Sequence, residues 1–270
     1  MLIQCGSVTI GFDDLGPRHS DALLLIHGHP FNRSMWRAQL GAVVANGWRV
    51  LTPDLRGYGE SSPAGGPLAF GDFASDLLAL IDACGVERVV VGGLSMGGQV
   101  AMDLCRQAPK RVRGLLLAAT FPQSESEEGE LRRRAMADRL MREGMAAYAA
   151  EVLPKMVGAT CLKERPEVGA AVLEMMRSTN PHAAAAALRA RALRPPYEDV
   201  LATFVRPATV VVGDEDAFTS RSDADLMRAL LKDCELCWMD RVGHMPNLER
   251  PDEFNAALIG LLNRVNAATG

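Results

Sequence analysis

Val89-Val90-Val91-Gly92-Gly93-Leu94-Ser95-Met96-Gly97-Gly98 is the stretch whose reading decides the fold. A run of β-branched residues ending in glycines reads as a buried strand, and Val100, Ala101, Leu104 and Cys105 then recur at helical spacing. Ser95 therefore sits where strand becomes helix. Gly93 and Gly97 stand two residues to either side of it. Such a turn needs them, because the serine's backbone is strained and a side chain at either position would collide with the adjoining strand or helix. This Gly-x-Ser-x-Gly arrangement is a nucleophile elbow. The helix after it aims free amides and a partial positive charge at the serine, so an oxyanion formed beside Ser95 would meet the Met96 N–H. The competing reading is a glycine-rich turn that happens to hold a serine.

Upstream, residues 22–26 form a continuous apolar run, as expected of a strand buried on both faces, and lead straight into His27-Gly28-His29-Pro30-Phe31. Two histidines at i, i+2 without a third ligand nearby make a poor metal site. Gly28 instead lets the loop turn back over the sheet, so that the His29 amide faces the same space as that of Met96 and the two complete an oxyanion hole. Before this, residues 8–12 alternate as a strand ended by Asp13, Asp14 and Gly16-Pro17. After it, Ser34 is expected to cap a helix that Asn46-Gly47 stops, and residues 48–52 give another strand. The loop from Pro53 to Ser62 holds Asp54 and Arg56, read as a structural pair that stabilises the turn rather than as catalytic groups. A helix over 73–84, closed by Gly85, precedes the elbow strand.

Downstream, residues 112–119 supply another apolar strand. The alternation of strand and helix predicts a mostly parallel sheet with right-handed crossovers and helices on both faces. The character changes at Pro122. From there to Pro196 no β-branched run occurs, and helical stretches near 127–141, 145–156, 167–177 and 182–193 are separated by glycines and prolines. This predicts a core made of residues 1–121 and 197–270, with 122–196 as an all-helical insertion. Arg132, Arg133 and Arg134 have acidic neighbours and read as a solvated face. Met136, Met141, Met145, Met156, Met175 and Met176 read chiefly as the insertion's own core, some of them also lining a pocket. Residues 208–212 return to the sheet and end in Gly213-Asp214-Glu215-Asp216; after a helix near 223–231 and a strand over 234–239 comes Val242-Gly243-His244-Met245-Pro246, and Pro251 opens the last helix. A serine, an acid and a histidine, in that order and each just past a strand, lie where open parallel sheets place their sites. Composition alone leaves Asp214, Glu215 and Asp216 open as the acid.

The chain has 270 residues, 48% of them hydrophobic and 23% charged, enough for one large domain with its own core. A net charge of −4 offers no basic face in bulk and argues against nucleic acid as a partner. The six cysteines are scattered, mostly in apolar segments, and Cys234 and Cys237 lack a second ligand pair, so neither disulfides nor zinc are expected. No basic region followed by an apolar run opens the chain and no apolar stretch reaches membrane-spanning length, so the expectation is a cytoplasmic protein without a membrane partner. Oligomeric state is left open.

Taken together, the sequence resembles the α/β-hydrolase fold superfamily, in the branch of small esterases, enol-lactonases and cofactor-free haloperoxidase-like enzymes. The resemblance rests on His27-Gly28-His29-Pro30, Asp54-Leu55-Arg56-Gly57-Tyr58-Gly59-Glu60-Ser61, Gly93-Leu94-Ser95-Met96-Gly97-Gly98, Gly213-Asp214-Glu215-Asp216 and Gly243-His244. It implies a helical cap in the place of the insertion. By the family's Gly-x-x-Asp spacing it also implies Asp216 as the triad acid, together with Ser95 as nucleophile, His244 as base, and the amides of His29 and Met96 as the oxyanion hole. The expected chemistry is hydrolysis of a carboxylic ester or lactone of a small, mainly hydrophobic molecule through an acyl-enzyme, with no cofactor. Carbon–carbon bond hydrolysis or perhydrolysis would use the same triad, and a non-catalytic ligand-binding protein of the same fold is the alternative of another class. Relatives that use an aspartate at the elbow are set aside by Ser95, and hydroxynitrile lyases, which carry a lysine near the base, by Met245.

Overall fold

The computed structural model describes residues 1–63 and 66–268. Its strands are β1 (Leu2–Cys5), β2 (Val8–Leu15), β3 (Ala22–Ile26), β4 (Arg49–Pro53), β5 (Val89–Leu94), β6 (Val112–Ala118), β7 (Ala208–Gly213) and β8 (Cys234–Met239). They form one eight-stranded sheet in the order β1-β2-β4-β3-β5-β6-β7-β8. β1 and β2 pair antiparallel, as do β2 and β4, and every other neighbour is parallel. The predicted fold class therefore stands.

The apolar runs of the sequence are the strands in the middle. β3, β5, β6 and β7 are buried at every position, as parallel strands covered on both faces must be. Alternate residues of one strand serve different cores. Leu24 and Ile26 of β3 join Val89, Val91, Leu115, Leu117, Val210 and Val212 on one face, while Leu23 and Leu25 join Val50, Val90, Leu116 and Val211 on the other. Each such side chain removed from water stabilises the fold by roughly 1.5–3 kcal/mol. The first face is covered by helices α2 (Gly71–Ala83), α3 (Met96–Gln107) and α10 (Arg221–Leu230). The second is covered by α1 (Arg37–Ala45) and α12 (Pro251–Ala267).

Between β6 and β7 the described chain is helical: α4 (Glu127–Glu143), α5 (Met145–Met156), α6 (Ala159–Glu164), α7 (Pro166–Arg177), α8 (Pro181–Ala192) and α9 (Glu198–Thr203). Tyr148, Val172 and Ala184 of this run belong to the same buried cluster as Leu23, Phe31 and Val242. The insertion thus packs into the core of the sheet's second face. Among the methionines, Met145, Met156 and Met176 are buried there and Met136 and Met175 lie against the cluster, but Met141 is exposed. No described helix is long and apolar enough to cross a membrane.

Several local expectations need correcting. The second strand does not stop at Asp13 and Asp14 but pairs through them to Leu15, because Asp14 accepts two hydrogen bonds from Arg49 of β4, at 2.8 and 2.9 Å, and so can be buried. The cap before α1 is Asn32, whose side chain accepts from the Ser34 N–H; Ser34 itself lies inside a short 3-10 turn. Arg132 and Arg134 do pair with acids on exposed helix surface, but Arg133 turns inward to Glu125 at 2.8 Å. β1, α6 and α9 have no counterpart among the predicted elements.

Candidate active site

The elbow is built as its glycines require. Ser95 has φ 56° and ψ −116°, a left-handed backbone that only strong surroundings hold in a serine. Those surroundings are the Ala118 carbonyl, which accepts from Ser95 N–H at 2.9 Å, and the Thr120 hydroxyl, which donates to the Ser95 carbonyl at 2.7 Å. A Cβ on Gly93 would lie 2.1 Å from the Gly97 oxygen, and one on Gly97 would lie 2.1 Å from the Ile26 oxygen. Helix and neighbouring strand can approach the serine this closely only because both positions lack a side chain.

Gly28 shows the same logic in the loop after β3, for a Cβ there would stand 2.9 Å from the Leu94 oxygen and 3.4 Å from Ser95 Cβ. The loop therefore lies against the elbow. Among the described residues, the backbone amides of His29 and Met96 donate to no protein acceptor. The two imidazoles of this loop are engaged separately. His27 Nε2 accepts the Leu55 N–H at 2.9 Å, which fixes its proton on Nδ1, 2.9 Å from the Gly28 oxygen. Burial holds His27 below its ordinary pKa. His29 Nδ1 bonds Tyr58 Oη at 2.8 Å. Burial, helped by the charges of Arg191 and Arg133, pushes His29 well below the usual histidine range. No group of three or more potential metal ligands occurs among the described residues.

The three carboxylates after β7 separate cleanly. Both oxygens of Asp216 lie 2.9 Å from His244 Nδ1, and this carboxylate also accepts the Phe218 and Thr219 amides at 2.8 and 3.2 Å. Asp214 accepts the Val242 N–H at 3.2 Å. Glu215 turns to the insertion, taking the Thr160 amide at 3.0 Å and its hydroxyl at 2.5 Å. The side chains of Asp216 and His244 are 0% and 2% exposed. With Asp216 as acceptor, the neutral His244 ring carries its proton on Nδ1 and has Nε2 as its acceptor. Among the described residues no hydrogen bond joins Ser95 Oγ to His244; such contacts tighten when substrate binds.

Glu249 was invisible as a site residue in the sequence. On α11 (Pro246–Glu249), it is 1% exposed and accepts the amides of Gly243, Met245 and Gly158 at 2.9, 3.0 and 3.0 Å. It thus clamps both neighbours of His244 and ties the start of α6 to them. Burial raises its pKa against the three amides that favour its charged form. The nearest signal was an acid five residues past the histidine. Asp54 and Arg56 are structural as expected, but not with each other: Asp54 takes the Arg33 amide at 2.8 Å and its guanidinium, while Arg56 pairs with Asp76 of α2 at 2.5 Å.

The chain as a whole is similar to known proteins. Residues 23–257 match the model of the alpha/beta hydrolase family. A thermophilic esterase from Thermogutta terrifontis, solved with malate bound, superposes with a TM-score of 0.93 at 32% identity over 98% of both chains. Lipase 1 of Psychrobacter immobilis is 29% identical over 86% of this chain and 74% of its own, and 3-oxoadipate enol-lactonase 1 of Acinetobacter baylyi is 23% identical over 93% and 91%. A family match over most of the chain, an elbow serine with its flanking glycines, and a buried Asp–His pair two strands away lead to one conclusion: the chain belongs to the alpha/beta hydrolase family.

Proposed function

We propose that this hydrolase cleaves a carboxylic ester or lactone by two-step acyl transfer, with Ser95 as nucleophile, His244 as base and Asp216 as its orienting acid. The observation that carries the reading is the His244 Nδ1 held 2.9 Å from both Asp216 oxygens, which makes Nε2 the acceptor of the neutral ring, the atom that takes the Ser95 proton. Ser95 Oγ attacks the carbonyl carbon and His244 takes its proton. The oxyanion meets the amides of His29 and Met96, neither of which has a protein acceptor among the described residues. His244 then hands the proton to the departing alkoxide. A water attacks the acyl-enzyme by the same route in reverse, giving the acid and free Ser95. Asp216 stabilises the imidazolium without itself being protonated. Residues 122–196 act as a cap, and the names of the esterase, lipase and enol-lactonase above support the substrate class.

Stopped-flow hydrolysis of 4-nitrophenyl butyrate tests this. A burst of nitrophenol near one equivalent is expected, with Ser95→Ala losing both burst and turnover while unfolding at the wild-type temperature. A Ser95→Ala protein that turns over at the wild-type rate would refute the serine mechanism.

A further inference from the structure

Helix α8 carries an arginine that ester hydrolysis does not use. Arg191 is 8% exposed; its Nε donates to Gln99 Oε1 at 2.7 Å, and among the described residues its guanidinium meets no carboxylate. Its neighbours approach an acid more closely. Arg133 and Arg194 share Glu125, at 2.8 and 3.7 Å, and Arg194 also reaches the Pro122 and Gln123 carbonyls and the rings of Phe121 and Tyr197. The charge of Glu125 reaches Arg191 as well, so three arginines share one acid; guanidinium groups this short of counter-ions cost several kcal/mol to bury, and a protein that keeps them has a use for them.

Near Arg191, Gln99 Nε2 and His29 Nε2 are buried without a partner, as are Arg133 Nε and Arg194 Nε; Gln99 and His29 are only 0% and 4% exposed. Gln99 gives its oxygen to Arg191, so its idle end is the donating NH₂. When the Tyr58 hydroxyl donates to His29 Nδ1, the idle Nε2 of that neutral ring carries a proton. Arg191 and Arg133 lie close enough for their charges to act on the His29 ring. The group also adjoins the elbow: Gln99 stands four residues after Ser95, and its backbone N–H donates to the Ser95 carbonyl at 3.2 Å.

We propose that Arg191, Gln99 Nε2 and His29 Nε2 form a carboxylate-binding subsite beneath the cap, so that the substrate is an ester with a free carboxylate at its far end. A guanidinium flanked by neutral amide and imidazole donors suits a planar carboxylate. The apolar expectation drawn from the cap's composition then describes the body of the substrate and not its end. This inference rests on the Ser95 mechanism above.

The test compares kcat/KM for monoethyl glutarate and for its neutral carboxamide isostere. The wild type is expected to favour the half-ester, and Arg191→Gln to lower that preference roughly 10–100-fold, the range for losing a hydrogen bond to a charged group. A wild type that favours the carboxamide, or a preference unchanged in a folded Arg191→Gln protein, overturns the subsite. If Arg191→Gln does not fold, Gln99→Leu is read by the same ratio and the wild-type comparison still decides. Failure of the Ser95 mechanism looks different, because then Ser95→Ala would hydrolyse both compounds. Calorimetric titration of glutarate into Ser95→Ala reads the subsite without turnover: binding is expected, and its absence counts against the proposal.

Discussion

Asp214, Glu215 and Asp216 are consecutive, yet they go to a loop amide, to the insertion and to His244. In serine proteases the Asp-to-Asn change costs about 10⁴ in turnover because it favours the wrong imidazole tautomer. Asp216→Asn should therefore lower kcat on a simple ester by about that factor, whereas Asp214→Asn, which weakens one part-buried hydrogen bond to the Val242 amide, should cost under about tenfold. Measuring the two variants side by side checks this, and a larger loss at Asp214 would reverse the roles. Ser95 and His244 were legible in the sequence because glycines and strand ends mark them locally. The choice among three adjacent acids was not, since it depends on how the loop curves toward β8, and only the family's spacing pointed to Asp216. Glu249, Gln99 and Arg191 were illegible for a related reason. Gly158 binds Glu249 across 91 residues, and Arg191 binds Gln99 across 92.

At the scale of elements, the elbow depends on contacts that no rotamer change relieves. Gly97→Ala would press a methyl 2.1 Å from the backbone oxygen of Ile26, and overpacking of this kind typically costs about 1–3 kcal/mol. Its urea midpoint should fall and activity with it. Gly41→Ala is the control: in α1, with nothing within 4 Å of the added Cβ, it should gain roughly 0.5–1 kcal/mol. Equal effects at the two sites would remove the close approach as the reason for Gly97. The central strands were legible because burial on both faces leaves unbroken apolar runs. β1 and the second half of β2 were not, because an edge hairpin leaves no unbroken apolar run, and Asp14, which seemed to end β2, is paired across the sheet with Arg49.

Over the whole molecule, the insertion and one face of the sheet share a single buried cluster, and the loop tying β3 to the β4 side is fastened by a buried neutral histidine. That histidine sets a pH dependence. His27 is held below its ordinary pKa by burial, so as pH falls below about 6.5, the free histidine value, the unfolded chain takes up a proton that the folded chain refuses. Stability should then decrease with falling pH by up to about 1.4 kcal/mol per unit for this group, until the folded pKa is reached. Thermal unfolding of the wild type and of His27→Asn between pH 5 and 8 checks it: the variant should start lower at pH 8 but lose less on acidification, and parallel curves would exclude His27 as the source. The central claim is that Ser95 is a nucleophile activated by His244, and peptide mass mapping after treatment with a fluorophosphonate tests it most directly. A single phosphonyl adduct on the peptide holding Ser95, absent from Ser95→Ala and formed far more slowly in His244→Ala, is the predicted result; a wild type that stays unlabelled, or an adduct that persists in Ser95→Ala, would contradict it.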